Sequence, residues 1–314
     1  MPELVFHLTP AAPFRLDLTA WALRRRPENE IDLWDGTFYR RTFFPARSAV
    51  AVSVRQVGAV DKPRLEITAA SKKPLGSHED ALRGLLDRTL GLRVDLTAFY
   101  EIARRDAKIG PMVKRFAGFR PPRFPTAFEA ITNAVACQQL SLTVGLIILN
   151  RLARTQGKES GAAGIGSWSP AILPSPRQLA AADPSELHKI GFSQRKTHAL
   201  INIAERFVAD QDHFGELEPL DDAAVFTRLL SLRGIGRWSA EYVMLRGLGR
   251  LNVFPADDVA GQKNLHRWLG LRKIPSYDRA RRLLAGWHPY EGLLYFHFLL
   301  SNLEAHGIVH GAAE

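Results

Sequence analysis

The stretch LRGIGRWSAEYVMLRG, from Leu232 to Gly247, places two glycines two residues apart and begins a helical pattern directly after them. Gly234 and Gly236 can adopt a positive φ at little cost, and they leave the backbone open to a close neighbour. The start of the new helix presents unpaired N–H groups and the positive end of its dipole at this turn. The pattern therefore predicts a phosphate-sized anion site, although a C-cap glycine in a tight turn between helices would explain the same residues.

A second motif, RLNVFPADDVAGQKNL, follows at residues 250–265. Its short apolar run ends at two adjacent carboxylates, Asp257 and Asp258, and a helical pattern begins after them. Aspartate at a helix start is usually an N-cap, and we expect one of the pair to have that role. Because one cap needs only one carboxylate, the other is a candidate for chemistry.

The composition points to a polyanionic partner. The chain of 314 residues has 46% hydrophobic residues, a formal net charge of +10 and a pI near 10.0. Residues 1–120 contain 21 Lys and Arg against 14 Asp and Glu, a net of +7, which leaves +3 for the remainder. Nucleic acid is the commonest partner of such a basic protein. The lone cysteine, Cys137, excludes an internal disulfide framework, a cysteine-rich zinc site and a four-cysteine iron–sulfur cluster.

The sequence carries no sign of a membrane or export segment. It has no run of about 18 apolar residues, and its N-terminus MPELVFHLTPAAPFRLDL lacks the basic start and apolar core of a signal peptide. We expect a soluble monomer in the cytoplasm, associated with the nucleoid, with no membrane partner.

The periodicity predicts an α+β chain of two domains. Up to about residue 100, LVFHLT, FRLDLTAW, IDLWDGTFYRRTFF, AVAVSVRQV and RLEITAA alternate in the manner of strands, with a turn at Asp35 and Gly36. From SHEDALRGLLDRTLGL onward the period is helical, and beyond Thr126 it is helical almost throughout. A proline-rich linker, GFRPPRFPTAF, separates a β-rich α+β domain at residues 1–118 from an all-α domain at residues 119–314. The Gly/Pro/Ser-rich segment from Gly157 to Pro176 is predicted to be an exposed loop.

Taken together, LRGIGRWSA and FPADD resemble the signature of the helix-hairpin-helix DNA glycosylases, of the bacterial 3-methyladenine DNA glycosylase II type. FEAITNAVACQQLS, IGFSQRKTHALINIA and WHPYEGLLYFHFLL resemble further segments of that family in the same order, and PFRLDLTAW resembles the start of its extra N-terminal domain. The resemblance implies base excision repair: a damaged base is flipped out of duplex DNA and its N-glycosidic bond is hydrolysed.

The resemblance implies an anchor and a wedge. Backbone amides of the hairpin residues Gly234, Ile235, Gly236 and Arg237 would hold a DNA phosphate, assisted in the family by a monovalent cation on hairpin carbonyls near Leu232 and Gly234.

The wedge that fills the gap left by the flipped base would be Gln139 or its neighbour Leu140. A buried helix with one polar side would explain the same residues.

The resemblance also implies a pocket and a catalytic group. Trp238 and Tyr242, four residues apart on one helix face, would hold a cationic alkylated purine such as 3-methyladenine together with Tyr290, although core packing is the common fate of such aromatics. Asp258 rather than Asp257 matches the family's catalytic aspartate, which stabilises an oxocarbenium-like sugar. Close relatives often carry tryptophan where this chain has Tyr290, so its substrate preference is less well defined than its reaction.

Glycosylases that also cut the strand use a lysine two residues after the second hairpin glycine, where this chain has Trp238. We therefore expect a monofunctional enzyme that needs no cofactor and leaves an abasic site.

Two other hypotheses compete with this one: an enzyme for oxidised or mismatched bases, and a DNA-binding protein without enzymatic activity. The same tryptophan and the lack of cluster cysteines argue against an enzyme for oxidised or mismatched bases. A non-enzymatic DNA clamp would need the hairpin but neither Asp258 nor the pocket aromatics.

Overall fold

The computed structural model describes residues 3–45, 49–72, 79–156, 165, 168, 171–210 and 217–311. Its N-terminal part is a five-stranded antiparallel sheet in the order β1-β5-β4-β3-β2. The strands are β1 Glu3–Leu8, β2 Leu33–Trp34, β3 Phe38–Phe43, β4 Val50–Gln56 and β5 Leu65–Ala70. The predicted turn at Asp35 and Gly36 joins β2 to β3, with Gly36 at φ 100° and Asp35 Oδ1 accepting the N–H groups of Thr37 and Phe38.

After β5 the regular elements of the described chain are helices, as the periodicity predicts, and one further helix lies between β1 and β2. The helices are α1 Leu16–Arg24, α2 Glu79–Leu90, α3 Thr97–Arg105, α4 Gly110–Arg115, α5 Ala127–Cys137, α6 Leu142–Gln156, α7 Pro176–Ala180, α8 Pro184–Lys189, α9 Gln194–Ala209, α10 Asp222–Leu230, α11 Arg237–Arg246, α12 Val259–Leu269, α13 Tyr277–Leu284 and α14 Glu291–Ala305. The α+β fold class is therefore confirmed. Most of the predicted loop from Gly157 to Pro176 lies outside the described residues, and Pro176 itself begins α7.

One predicted strand is wrong. FRLDLTAW forms the start of α1, because Leu16, Ala20 and Leu23 recur at helical spacing and pack onto the sheet beside Phe14 and Tyr39. The alternation of Leu16 and Leu18 with polar residues fits a strand over only a few positions, and tertiary packing decides between the two periods.

A buried ionic network joins the sheet to the helical part. Arg41 of β3 donates to Asp32 Oδ1 at 2.5 Å and to Glu129 in the first turn of α5. Tyr39 Oη donates to the same Asp32 oxygen at 2.8 Å. Removing one partner from such a network leaves an uncompensated buried charge, which typically costs about 3–5 kcal/mol. The network therefore fixes the sheet against α5.

Hydrophobic packing also crosses the proline-rich segment. One cluster contains side chains of α1, α3 and α4 together with side chains of α14, among them Leu18, Phe99, Val113 and Phe298. The boundary at residues 118/119 stays a prediction, and the two parts on either side of it share this core. Within the described residues, no helix is long and apolar enough to span a bilayer.

The shared core encloses a histidine. His297 of α14 is 1% exposed and lies among the rings of Phe99, Phe116 and Phe119. Its Nδ1–H donates to the carbonyl of Leu293 at 2.8 Å. Burial lowers the pKa of His297 from 6.5 to about 4, and the hydrogen bond to Leu293 offsets only part of that effect.

We predict that His297 makes the fold acid-sensitive between pH 6.5 and 4. In that window the unfolded chain holds a proton on this side chain that the folded chain does not. The free energy of unfolding therefore falls by about 1.4 kcal/mol for each unit by which the pH is lowered, or about 3 kcal/mol in all. Above pH 7 the contribution is constant. Urea unfolding at a series of pH values should show a flatter dependence in His297→Leu than in wild type.

His306→Leu is the matched control, because His306 directly follows the same helix and donates to the carbonyl four residues earlier, at Asn302, but is exposed. This control should keep the wild-type slope. Parallel curves for wild type and His297→Leu would contradict the assignment.

Candidate functional site

The two glycines form a tight turn between α10 and α11, at residues 231–236, which we call the hairpin turn. Gly234 has φ 95°, and a Cβ at this position would lie 2.6 Å from Cβ of Ala199 on α9. Gly236 is extended, with φ −102°, and a Cβ there would meet nothing within 4 Å. A positive φ is therefore confirmed for Gly234 only. Gly236 leaves the first N–H groups of α11 open to a ligand approaching from outside.

Ile235 differs from the other predicted hairpin ligands. Its side chain is buried in the helical core, and its N–H donates to the carbonyl of Leu232 at 3.0 Å within the turn. Gly234, Gly236 and Arg237 line a cavity, whereas Ile235 is not among the described residues that line it. The anion-binding prediction for Ile235 is therefore corrected: this residue supports the turn from behind.

The carbonyl groups near Leu232 and Gly234 fit a monovalent cation only in part. The Leu232 carbonyl accepts the Ile235 N–H, and the Gly234 carbonyl accepts a hydrogen bond from the Gln138 side chain at 2.9 Å. Each oxygen keeps one lone pair. An ion held there would add positive charge beside a bound phosphate, and its presence stays a prediction.

The hairpin turn forms one wall of a cavity of about 1090 Å³. Its other walls come from the turn after α5, the start of α9, the start of α12 and one face of α14. The basic residues that line it outnumber the two carboxylates, Asp257 and Asp258; they are Arg25, Arg26, Arg195, Lys196, Arg237, Arg246 and Lys263. A concave, positively charged site of this size suits a nucleotide with its phosphates.

Asp258 is held on both carboxylate oxygens. It is the N-cap of α12, with Oδ1 accepting the N–H of Gly261 at 2.7 Å. Oδ2 accepts Trp238 Nε1–H at 3.0 Å and Tyr295 Oη–H at 3.3 Å. The cap and the candidate catalytic group are thus one residue. Its carboxylate is oriented by three donors from three helices.

The neighbouring carboxylate has a different role from the one expected. Asp257 forms an ion pair with Arg237 Nε at 2.6 Å, and neither residue is fully buried. The Arg237 guanidinium also lies over the ring of Tyr277, 3.8 Å from its centroid. Asp257 therefore holds a cation at the mouth of the cavity and caps no helix.

The two hairpin aromatics stack inside the cavity. The rings of Trp238 and Tyr242 are 5.3 Å apart with an interplanar angle of 28°. Burial raises the pKa of Tyr242, which keeps its hydroxyl protonated. The shared helix face inferred from their spacing is thus present, and both rings line the cavity.

Tyr290 is placed elsewhere. It precedes α14 and packs edge-on against Phe99, 5.8 Å between centroids, in the core shared by the two parts of the chain. It is not among the described residues that line the cavity, so its prediction as a pocket aromatic is corrected. Tyr295 lines the cavity instead. Five residues of helix rotate a side chain by about 140° around the axis, which separates the two tyrosines onto different faces.

Burial, followed by the nearby negative charge of Asp258, raises the pKa of Tyr295 well above its usual value. The phenol is therefore a permanent hydrogen-bond donor to that carboxylate at neutral pH. The sequence offered one signal for it: Tyr295 lies in the same C-terminal segment, WHPYEGLLYFHFLL, that suggested Tyr290.

The turn between α5 and α6, residues 138–141, carries the two wedge candidates, and we call it the wedge turn. Gln139 is exposed and has φ 56°, a left-handed conformation that is uncommon for a residue other than glycine. Leu140 is 42% exposed. Both line the cavity and lie next to the hairpin turn, whose Gly234 carbonyl accepts a hydrogen bond from the adjacent Gln138.

Arg25, at the end of α1, is a cavity residue that the sequence did not reveal. It is buried, with Nη1 donating to Tyr242 Oη at 3.0 Å and Nη2 donating to Asn133 Oδ1 at 2.7 Å. The N-terminal part of the chain therefore supplies a wall of the cavity. Among the described residues, no group of three or more His, Cys, Asp or Glu side chains could hold a metal ion.

Two known bacterial proteins with related sequences are named DNA-3-methyladenine glycosylases. DNA-3-methyladenine glycosylase of Bacillus subtilis is 26% identical over 203 residues, which cover 65% of this chain and 66% of the relative. DNA-3-methyladenine glycosylase 2 of Escherichia coli is 29% identical over 183 residues, which cover 57% of this chain and 59% of the relative. The chain thus spans less than two thirds of the length of either protein.

Solved structures show the same fold. The 3-methyladenine DNA glycosylase of Archaeoglobus fulgidus superposes with a TM-score of 0.81 over 95% of this chain and 98% of its own, at 22% identity. A Schizosaccharomyces pombe 3-methyladenine DNA glycosylase in complex with abasic DNA superposes with a TM-score of 0.56 over 66% of this chain and 98% of its own, at 25% identity. Residues 132–289, about half of the chain, match the family model of the HhH-GPD superfamily base excision DNA repair proteins. The chain belongs to the HhH-GPD superfamily of base excision DNA repair proteins.

Proposed function

We propose that this protein is a monofunctional DNA glycosylase that releases alkylated purines, such as 3-methyladenine, from duplex DNA and leaves an abasic site. The observation that carries the proposal is the Asp258 carboxylate, held by Gly261, Trp238 and Tyr295 at a cavity large enough for a flipped nucleotide. A protein that only clamps DNA needs no such oriented charge. The names of the two bacterial relatives support the same substrate class.

The DNA backbone would be gripped at the hairpin turn. Gly236 is open to solvent and precedes the unpaired N–H groups of α11, which can donate to a phosphate. Arg237, fixed by Asp257 and Tyr277, adds a positive charge at the same edge. Such contacts position the duplex without reading its sequence, which suits an enzyme that must act at damage anywhere.

A flipped base would lie against the stacked pair of Trp238 and Tyr242. Alkylation at N3 or N7 of a purine places positive charge on the base, and aromatic faces attract such a cation by about 0.5–2 kcal/mol. Arg25 and Arg246 also line the cavity, and their charges oppose a cation close to them. The charged base is therefore expected on the side of Asp258, with the arginines facing its uncharged edge.

The reaction breaks the bond between C1′ and the base nitrogen, and the bonding electron pair leaves with the base. The alkylated purine is a good leaving group because it departs neutral. The sugar then carries an oxocarbenium-like positive charge, which the fixed anion of Asp258 stabilises across the cavity. Water adds to C1′ and loses a proton. Three donors already occupy the Asp258 carboxylate, two of them on Oδ2, so Asp258 acts mainly as a preorganised charge.

A lyase step would need an amine close to C1′, and among the described residues the lysines that line the cavity are Lys196 and Lys263. Trp238 stands where bifunctional members carry their lysine. Of the lysines that line the cavity, Lys196 donates to the carbonyls of Ala136 and Gln138, which engages its Nζ. Lys263 is exposed. Strand cleavage is therefore left out of the proposal.

We predict that Asp258→Asn keeps DNA binding and loses excision by at least about 10²- to 10³-fold, since asparagine can still cap α12 but carries no charge. A base-release assay on methylated DNA measures the loss, and a gel-shift assay measures binding. Asp221→Asn is the matched control, because Asp221 caps α10 as Asp258 caps α12 but is not among the described residues that line the cavity, and it should keep excision close to wild type. Equal excision by wild type and Asp258→Asn would contradict the role of Asp258, and DNA binding without excision by either protein would favour a DNA clamp.

Tyr295→Phe should lower kcat by about fivefold and leave KM unchanged. The substitution preserves the shape of the side chain and removes one hydrogen bond to a charged group, for which a loss of about 1 kcal/mol is expected at 3.3 Å. Single-turnover excision with excess enzyme gives kcat without product release. A rise in KM at constant kcat would show that the hydroxyl binds the substrate and not Asp258.

Borohydride should trap no adduct between this protein and DNA during turnover, because a hydrolytic reaction forms no Schiff base. A bifunctional glycosylase treated in the same way serves as the positive control. A trapped adduct at the frequency of base release would contradict the monofunctional assignment. Lys196→Ala and Lys263→Ala would then identify the amine, with the pKa of Lys196 already lowered by burial.

A further inference from the structure

We infer that Gln138 is a positioning residue that locks the wedge turn to the hairpin turn, so that insertion into the duplex and grip on the phosphate belong to one rigid unit. This inference rests on the proposed function. It concerns a residue that does not itself contact the reacting atoms, and it explains how two elements far apart in sequence act on one lesion.

The first observation is the pair of hydrogen bonds made by the Gln138 side chain. Its Nε2 donates to the carbonyl of Gly234 at 2.9 Å and to Oγ of Ser239 at 2.8 Å. Both N–H groups of one amide are therefore used, one on the hairpin turn and one on the first turn of α11. Gln138 ends α5 as its C-cap, so this amide links the start of the wedge turn directly to the phosphate anchor.

The second observation is that the wedge turn is strained. Gln139 has φ 56°, which costs of order 1–3 kcal/mol for a residue with a side chain and persists only where the surroundings enforce it. Lys196 of α9 supplies part of that support, since its Nζ donates to the carbonyls of Ala136 at 3.0 Å and Gln138 at 2.6 Å. The backbone on the α5 side of Gln139 is therefore held by side chains from outside the turn.

The third observation is that helix α9 contacts both the hairpin turn and the wedge turn. Helix α9 contacts the hairpin turn through Ala199, whose Cβ lies where a side chain on Gly234 would begin, and it contacts the wedge turn through Lys196. These two residues are three apart and share one face of α9. Gln138 connects the wedge turn to the hairpin turn directly. The wedge turn thus cannot move without moving either α9 or the phosphate anchor.

This connection matters because flipping a base costs a few kcal/mol of stacking and pairing. The phosphate grip fixes the register of the duplex, so an inserting side chain is effective only if its distance from that grip is fixed as well. Without the Gln138 bridge, the phosphate grip and the Asp258 chemistry remain, and the opening of the stack is weakened. The deficit should therefore appear only when the enzyme has to open the stack itself.

The test uses the full chain and two DNA substrates with the same methylated purine. In one the lesion is paired within a duplex, and in the other it stands in a one-nucleotide bulge, where it is already unpaired. Each substrate has 2-aminopurine beside the lesion, because its fluorescence rises when the stack opens. Single-turnover excision and this fluorescence rise are measured on both.

Gln138→Glu keeps the size of the side chain and removes both N–H donors. Gln194→Glu is the matched control, because Gln194 is exposed at the start of α9 and receives the same change of charge near the cavity. On the paired lesion, Gln138→Glu should excise about tenfold more slowly, as expected for about 1.4 kcal/mol, with a smaller fluorescence rise. On the bulged lesion it should stay within about twofold of wild type. Gln194→Glu should match wild type on both.

An equal loss on both substrates would overturn the inference, since it would place Gln138 in base binding or chemistry, and so would an unchanged rate on the paired lesion. Gln138→Met, which lacks both charge and donors, replaces Gln138→Glu if that variant does not fold. Failure of the proposed function is distinguishable, because wild type and Gln194→Glu would then release no base from either DNA. In that case the fluorescence measurement would still test the inference, because a wild-type protein that does not open the base stack of the paired substrate would overturn it.

Discussion

The site depends on one fixed negative charge, the carboxylate of Asp258. Its position is set by the start of α12, where the Gly261 N–H and the positive end of the helix dipole favour an anion. Trp238 and Tyr295 bring donors from two other helices to the second oxygen. Three elements of the helical part therefore converge on one side chain, and the shape of the cavity follows from that convergence.

The convergence requires that helices distant in sequence keep their spacing, and the N-terminal sheet contributes to it. Arg41 is paired with Asp32 within the sheet and with Glu129 on α5. Helix α5 runs directly into the wedge turn. The buried ions therefore fix the helix that leads into the wedge turn, and the end of α1 places Arg25 in the wall of the cavity beside Tyr242. The strand-rich part acts as a component of the site and not as an appendage.

The sequence predicted the fold class and several residues that line the cavity, because both rest on local patterns. The spacing of Trp238 and Tyr242 identifies a helix face, and the glycine turn and Asp258 are recognisable as motifs. Contacts between elements that are distant in the chain leave no such pattern in the sequence. Nothing in the letters around Arg25 indicates that the end of α1 reaches Tyr242.

Two further errors have the same origin. The segment at Leu16 alternates as a strand would over a few residues, and only its packing on the sheet makes it helical. Tyr290 and Tyr295 lie in one aromatic segment of the sequence. Which of the two tyrosines faces the cavity and which packs in the core depends on where α14 begins. In both cases the neighbours of the element, which the chain brings together only on folding, decide the outcome.

Arg25 and Tyr295 both lie outside the 132–289 region that defines membership of the superfamily. Two members can therefore share the hairpin, the aspartate and the stacked aromatic pair and still differ at a guanidinium that borders the pocket and at a phenol that touches the carboxylate. Divergence in the range of lesions accepted can arise in the flanking sequence, while the segment that identifies the superfamily stays the same.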